Sequence, residues 1–115
     1  MGSLSGKTAV VLGASGEQNI GTAIARRLAA EGAKVVVSAR REKPLQALAA
    51  EIGGLAVSCD VTDESRIEAL FAEAGEIDIA VFSAGVLAAA PIAELTADWV
   101  QPTLDVSFTG ALLFF

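Results

Sequence analysis

A chain of 115 residues allows one domain, and 53% hydrophobic residues without an apolar run of about eighteen argue for a large core and against a membrane span. The net charge of −6 is unevenly spread: residues 1–44 carry seven basic and three acidic side chains, residues 45–115 one basic and eleven acidic. So acidic a chain repels polynucleotides, which argues against nucleic-acid partners. The first six residues are too short and too polar for a secretory leader. The single cysteine, Cys59, reads as a buried strand residue and suits a reducing cytoplasm. No metal site is expected.

In chain order, Thr8 to Leu12 is a short β-branched run bounded by glycine, the pattern of a strand buried on both faces. Residues 13–21 follow, a small-residue loop with three glycines: Gly13, Gly16 and Gly21. Ile20, Ala23, Ile24 and Leu28 then recur at helical spacing and predict a helix, with Gly32 at its C-terminus. Val35 to Val37 is a second buried strand. Strand, glycine loop, helix and strand within about thirty residues make a βαβ unit of the phosphate-binding kind.

The loop's chemistry is steric. A pyrophosphate reaches the N–H groups at a helix N-terminus only where no Cβ intervenes. Gly13 suits the tight turn off the strand, Gly16 the approach of the ligand, and Gly21 the packing of helix on sheet. Alone, the loop also reads as an ordinary glycine-rich turn; its flanking strands favour the phosphate reading.

The alternation continues. Pro44 fits a first helical turn, Leu45, Leu48 and Ile52 form that helix's stripe, and Gly53-Gly54 stops it. Leu55 to Cys59 predicts a third strand. Thr62 is the expected N-cap of a helix whose inner face is Ile67, Leu70, Phe71 and Ala74, closed by Gly75. Ile77 to Phe82 predicts a fourth strand. Pro91 to Leu95 suggests a short helix. Thr96 caps a last helix with Trp99, Leu104, Phe108 and Leu112 in its stripe and Pro102 in its early turns. Trp99 is expected to pack in a core or an interface.

The end of the second strand decides the cofactor. An Asp or Glu there would hydrogen-bond the ribose 2′-hydroxyl of NAD. Ser38-Ala39-Arg40-Arg41 offers two guanidinium groups instead, suited to clasping a 2′-phosphate. A solvated charged patch is the plainer alternative. NADP is expected, NAD less so.

The loop, Leu12-Gly13-Ala14-Ser15 and then Asn19-Ile20-Gly21, resembles the Thr-Gly-x-x-x-Gly-x-Gly segment of the short-chain dehydrogenase/reductase family. Asn19 stands where the family has its middle glycine, a replacement that the left-handed backbone region tolerates. The loop is two residues longer and looks like that of the divergent branch holding the enoyl-thioester reductases. The resemblance implies a Rossmann-like, doubly wound parallel sheet in strand order 3-2-1-4, in a single domain over residues 1–115.

The resemblance also implies roles. Gly13, Ser15, Gly16, Asn19, Ile20 and Gly21 would hold the dinucleotide, with Arg40 and Arg41 on its 2′-phosphate. Asp60-Val61 matches the acidic residue that contacts the adenine amino group, though a carboxylate there also caps a helix. Ser83-Ala84-Gly85 stands for the family's Asn-Ala-Gly, where small residues let the backbone pass close to the cofactor. Asp105-Val106-Ser107-Phe108-Thr109-Gly110 resembles Asp-Val-Asn-x-x-Gly, which puts Ser107 at the position of a catalytic Asn.

The family's catalytic Ser and Tyr-x-x-x-Lys lie further along than these residues, and the sequence contains no Tyr. The expected activity is therefore that of the cofactor-binding part of an NADP-dependent oxidoreductase, inactive alone. The substrate class stays open between a carbonyl or hydroxyl compound and an enoyl thioester. Tyr-x-x-x-Lys downstream would mark the first, and Tyr followed by Lys seven residues later the second. A non-catalytic NADP-binding module is the further alternative. Homo-oligomers are expected, through the last helix or through the edge of the fourth strand.

Overall fold

The computed structural model describes residues 2–14, 19–84 and 90–115. Four strands, β1 (Thr8–Leu12), β2 (Lys34–Ala39), β3 (Leu55–Ser58) and β4 (Ile79–Phe82), form one sheet in the order β3-β2-β1-β4. Every pairing is parallel, with Val10 opposite Val36 and Ala80 on its two sides. This is the Rossmann-like sheet, in the strand order, that the resemblance implies.

Period-two alternation sends successive strand residues to opposite faces, and both faces are covered. Val11, Val35 and Val37 pack with Ala25 of α1 (Ile20–Ala30) and with Leu45 and Leu48 of α2 (Glu42–Ile52). Val10, Leu12 and Val36 pack on the other side with Ile67 and Leu70 of α3 (Glu64–Ala74). That second face also receives the last helical run: α4 (Ala97–Leu104), a π-helical stretch (Asp105–Gly110) and α5 (Ala111–Phe114). Phe114 anchors it, only 4% exposed, with its ring centroid 5.3 Å from Phe71 and 5.6 Å from Phe82.

Helix ends follow their local chemistry. Gly32, at φ +96°, donates to the Ala29 carbonyl while Ala33 donates to that of Leu28, so two otherwise orphaned carbonyls of α1 are satisfied. Gly53, at φ +68°, ends α2. A two-bonded ion pair from Arg26 to Glu51 (2.6 and 3.0 Å) ties α1 to α2.

Several expectations shift. Ile20 is 74% exposed rather than inward; Gly21, Thr22 and Ala25 make the buried face of α1, with Ile24 and Leu28 half-buried against the same core. The cap of α3 is Asp63, not Thr62: its carboxylate accepts from the Ser65 amide (3.1 Å). Thr62 is engaged by Asp60 instead. β3 ends at Ser58 and β4 begins at Ile79, although Cys59 and Asp78 still donate across to Ala39 and Thr8. Residues 92–94 form a 3-10 turn. In the last run Trp99, Leu104, Phe108 and Leu112 face outward, and Val106, Gly110, Leu113 and Phe114 take the inner side.

Gly13 turns the chain off β1 at φ +102°, and a Cβ there would stand 2.5 Å from the Ala84 nitrogen and the Ser83 carbonyl carbon. Gly53 has a left-handed φ too, with nothing within 4 Å of its missing Cβ. Gly13→Ala is expected to destabilise by about 3 kcal/mol or more, since backbone strain and overpacking add. Gly53→Ala should cost about 1 kcal/mol, through φ alone. Urea denaturation of both variants checks this, and equal losses would show that Gly13 is required for its φ only.

Candidate functional site

In a parallel sheet the C-terminal strand ends lie on one side, and here the chain leaves all four of them around a single cleft of about 120 Å³. From β1 come Leu12 and Gly13; from β2, Ala39 and Arg40; from β3, Cys59, Asp60 and Val61; from β4, Ser83 and Ala84. Asn19 from the start of α1 and Val106 from the π-helical stretch complete its walls.

Short hydrogen bonds hold these segments together. The Ser38 carbonyl accepts from both Gly13 (2.7 Å) and Ala14 (3.2 Å), and Leu12 accepts from Ser83 (2.8 Å). The buried Ser38 hydroxyl donates to the Val57 carbonyl at 2.7 Å, locking β2 to β3 below the cleft. Gly21 is buried beneath the turn, where a Cβ would stand 2.7 Å from the Gly13 carbonyl oxygen. Gly110 lets the last helical run close on Val61, since a Cβ would meet its Cγ2 at 2.6 Å.

Asn19 departs from its expected conformation. Its backbone is extended (φ −98°, ψ 145°), and its Oδ1 accepts from the Thr22 amide at 3.2 Å, which makes it the N-cap of α1. It thereby stands where the positive end of the helix dipole meets the cleft, a place suited to an anion.

Asp60 is held by its neighbour. Its Oδ1 accepts from the Thr62 amide (3.0 Å) and hydroxyl (2.7 Å). The Thr62 bonds, with Arg40 nearby, keep its carboxyl below the ordinary carboxylate range. Burial, with the Asp60 charge adding, pushes the Cys59 thiol up, so it stays protonated at neutral pH. A second hollow, of about 230 Å³, opens beside the cleft between Arg40, Ser58, Cys59, Asp60 and Arg66.

The structure thus brings together Gly13, Asn19, Arg40, Asp60, Val61, Ser83 and Ala84. Ile20 points to solvent, and Arg41 serves as the backbone cap of α2 outside the walls of both hollows. Ser107 is exposed and its neighbour Val106 forms the wall, because consecutive helical side chains leave the axis in different directions. Ser15, Gly16 and Gly85 lie outside the described residues. Sequence reasoning passed over Ser38 and Arg66. Arg66 had a signal, as the lone basic residue of the acidic part of the chain.

Residues 13–115 match the family model described as enoyl-(acyl carrier protein) reductase. The chain belongs to the short-chain dehydrogenase/reductase family. It is 42% identical over 119 residues to a hexahydro-indene-carboxyl-CoA reductase of Mycobacterium tuberculosis, covering 95% of this chain and 45% of that protein. It is 39% identical over 120 residues to D-threitol dehydrogenase of Mycolicibacterium smegmatis, covering 96% and 45%. A solved structure of a variant actinorhodin polyketide ketoreductase with NADPH superposes with a TM-score of 0.86 at 31% identity, covering 99% of this chain and 46% of that one. The chain spans about half the length of these relatives.

Family members bind NAD(P), and the residues present fit such a dinucleotide: a capped helix N-terminus, bare backbone at Gly13, and a cation and a carboxylate at the far strand ends. No helix among the described residues is long and apolar enough to cross a membrane.

The Asp60 interactions carry a pH signature. The Thr62 bonds favour the ionised carboxyl only in the folded chain, so this stabilisation is complete above the unfolded pKa. It is lost as pH falls through the lower, folded value, that is, below about pH 4. Asp60→Ala should lower unfolding stability at pH 7 by about 0.5–1 kcal/mol, with much of that gap gone at pH 3. Urea midpoints at both pH values test it; a gap of equal size at each would rule out the ionised carboxyl as its source.

Proposed function

We propose that this chain is the cofactor-binding part of an NADP-dependent oxidoreductase that interconverts a carbonyl and a hydroxyl compound. The observation that carries the reading is Arg40 at the end of β2, lining the cleft where an NAD-preferring protein would present a carboxylate. Asn19 and the start of α1 would meet the pyrophosphate, Asp60 the adenine amino group and Arg40 the 2′-phosphate. Ser83 and Ala84 would let the backbone run close to the cofactor. Bound there, the nicotinamide supplies or accepts the hydride. The dehydrogenase and ketoreductase among its relatives support a carbonyl or hydroxyl substrate.

Fluorescence titration with NADPH and NADH is the test. NADPH should bind at least about tenfold more tightly, and Arg40→Asp should weaken it by on the order of 2–3 kcal/mol while sparing NADH. Equal affinities for the two dinucleotides would refute the cofactor assignment.

Enoyl-thioester reduction is the second reading, favoured by the description of the matching family model and by the six residues between Gly13 and Ile20. NADPH consumption with a 3-oxoacyl thioester against a 2-enoyl thioester separates the two. A cytoplasmic location belongs to the same reading.

A second copy of the chain is the proposed partner. Leu104, Phe108 and Leu112 are spaced four apart along the last helical run and 47%, 61% and 64% exposed. Such a stripe can pair with its own copy across a two-fold axis. The outer edge of β4 is the alternative surface, since among the described residues β4 pairs with β1 only. Phe108→Glu should convert a dimer or higher oligomer to monomer in light scattering at micromolar concentration. An assembly unchanged by that substitution would exclude the helix.

A further inference from the structure

We infer that Arg66 on α3 is a specificity-determining residue for the dinucleotide, the second cationic arm beside Arg40 around its 2′-phosphate; this rests on the NADP reading proposed above. The hollow beside the cleft is walled by Arg40 from the end of β2, by Ser58, Cys59 and Asp60 from the end of β3, and by Arg66. Arg41, the partner that adjacency in sequence suggests, is in neither wall. Two arginines far apart in the chain therefore line one hollow.

Charge balance gives Arg66 its importance. The Asp60 carboxyl is ionised, fastened by Thr62, and close enough to Arg40 for the two charges to act on each other. Alone, Arg40 would bring a phosphate of nearly two negative charges to a site with little net charge. Arg66 turns that wall positive. Asp63 also lies near Arg66, but Ser65 engages its carboxylate and it is not part of the wall. Neither Arg40 nor Arg66 is in a salt bridge among the described residues. Both forks are available to a phosphate, which they can bind bidentately. Ser58 adds a hydroxyl to the same hollow, at present donating to the Arg40 carbonyl at 3.3 Å.

The test compares NADPH with NADH, and 2′,5′-ADP with 5′-AMP, on the full-length protein and on Arg66→Gln, Arg66→Lys and Arg41→Gln. Each pair of probes differs only by the phosphate. Arg66→Gln should weaken NADPH and 2′,5′-ADP about tenfold or more, with NADH and 5′-AMP within about twofold of the parent. Arg66→Lys should fall between, keeping the charge and losing the fork, and Arg41→Gln should cost less than Arg66→Gln. If the parent shows no preference for the phosphorylated probes, the NADP reading fails and takes this inference with it. If the parent prefers them and Arg66→Gln keeps that preference, or weakens all four probes alike, the inference alone is overturned. A larger loss on Arg41→Gln than on Arg66→Gln would likewise overturn it.

Discussion

The absence of one side chain, at Gly13, conditions the architecture around it. Three backbone segments approach this residue: the Ser38 carbonyl that accepts its N–H, the Ser83–Ala84 peptide at van der Waals distance, and Gly21 against its own carbonyl. A Cβ at Gly13 would have to displace the end of β4, and one at Gly21 would lift α1 from the sheet. Because interiors are close-packed, neither shift stays local. The spacing of β4 from β1, and the height of α1 above them, are set at this crossing.

The two faces of the sheet are consequently built to different scales. At the start of α1 the buried residues are Gly21, Thr22 and Ala25, with Ile24 and Leu28 half-buried against the same core, and the helix start is brought down to the strand ends where the cleft opens. On the opposite face the packing is large and aromatic, with Phe114 wedged among Phe71, Phe82 and Phe115. Gly110 against Val61 repeats the small-residue device where the last helical run closes on a residue of the cleft wall. Gly13, Gly21 and Gly110 thus supply bare backbone where segments cross near the cleft, while the aromatic cluster fills the face covered by α3 and α5.

Most of the fold could be read from the sequence because strands buried on both faces have no polar alternative. Val10, Val11 and Val35 to Val37 have to be interior, and the turn residues between the elements leave few ways to connect them. Gly13 and Gly21 were legible for a related reason, since each answers a steric demand. Reading broke down where two residues offer the same chemistry. Thr62 and Asp63 can both cap α3, and the choice fell to Asp63 because Asp60 had already engaged Thr62. Asn19 was read for the left-handed region its side chain tolerates, whereas its use is as a hydrogen-bond acceptor at a helix start. The last helical run was read on its most apolar stripe. Periodicity shows that a stripe exists, but the fold buries the neighbouring face, where Gly110 permits close approach and Phe114 fills the aromatic pocket.

Charge was the least legible property, since proximity in the fold cancels what distance in the sequence keeps apart. A basic first third and an acidic remainder look like two separate electrostatic bodies. The parallel sheet places the ends of β2 and β3 side by side, so Arg40 from one meets Asp60 from the other. Arg41, next to Arg40 in sequence, begins α2 with its backbone and lies outside both walls. Arg66, six residues beyond Asp60 and in the first turn of the helix that β3 feeds, lines the same hollow. The charge at this edge of the sheet is thus set by the β3–α3 connection as much as by the residues that follow β2. Charged substitutions at the start of α3 therefore alter the same local balance of charge.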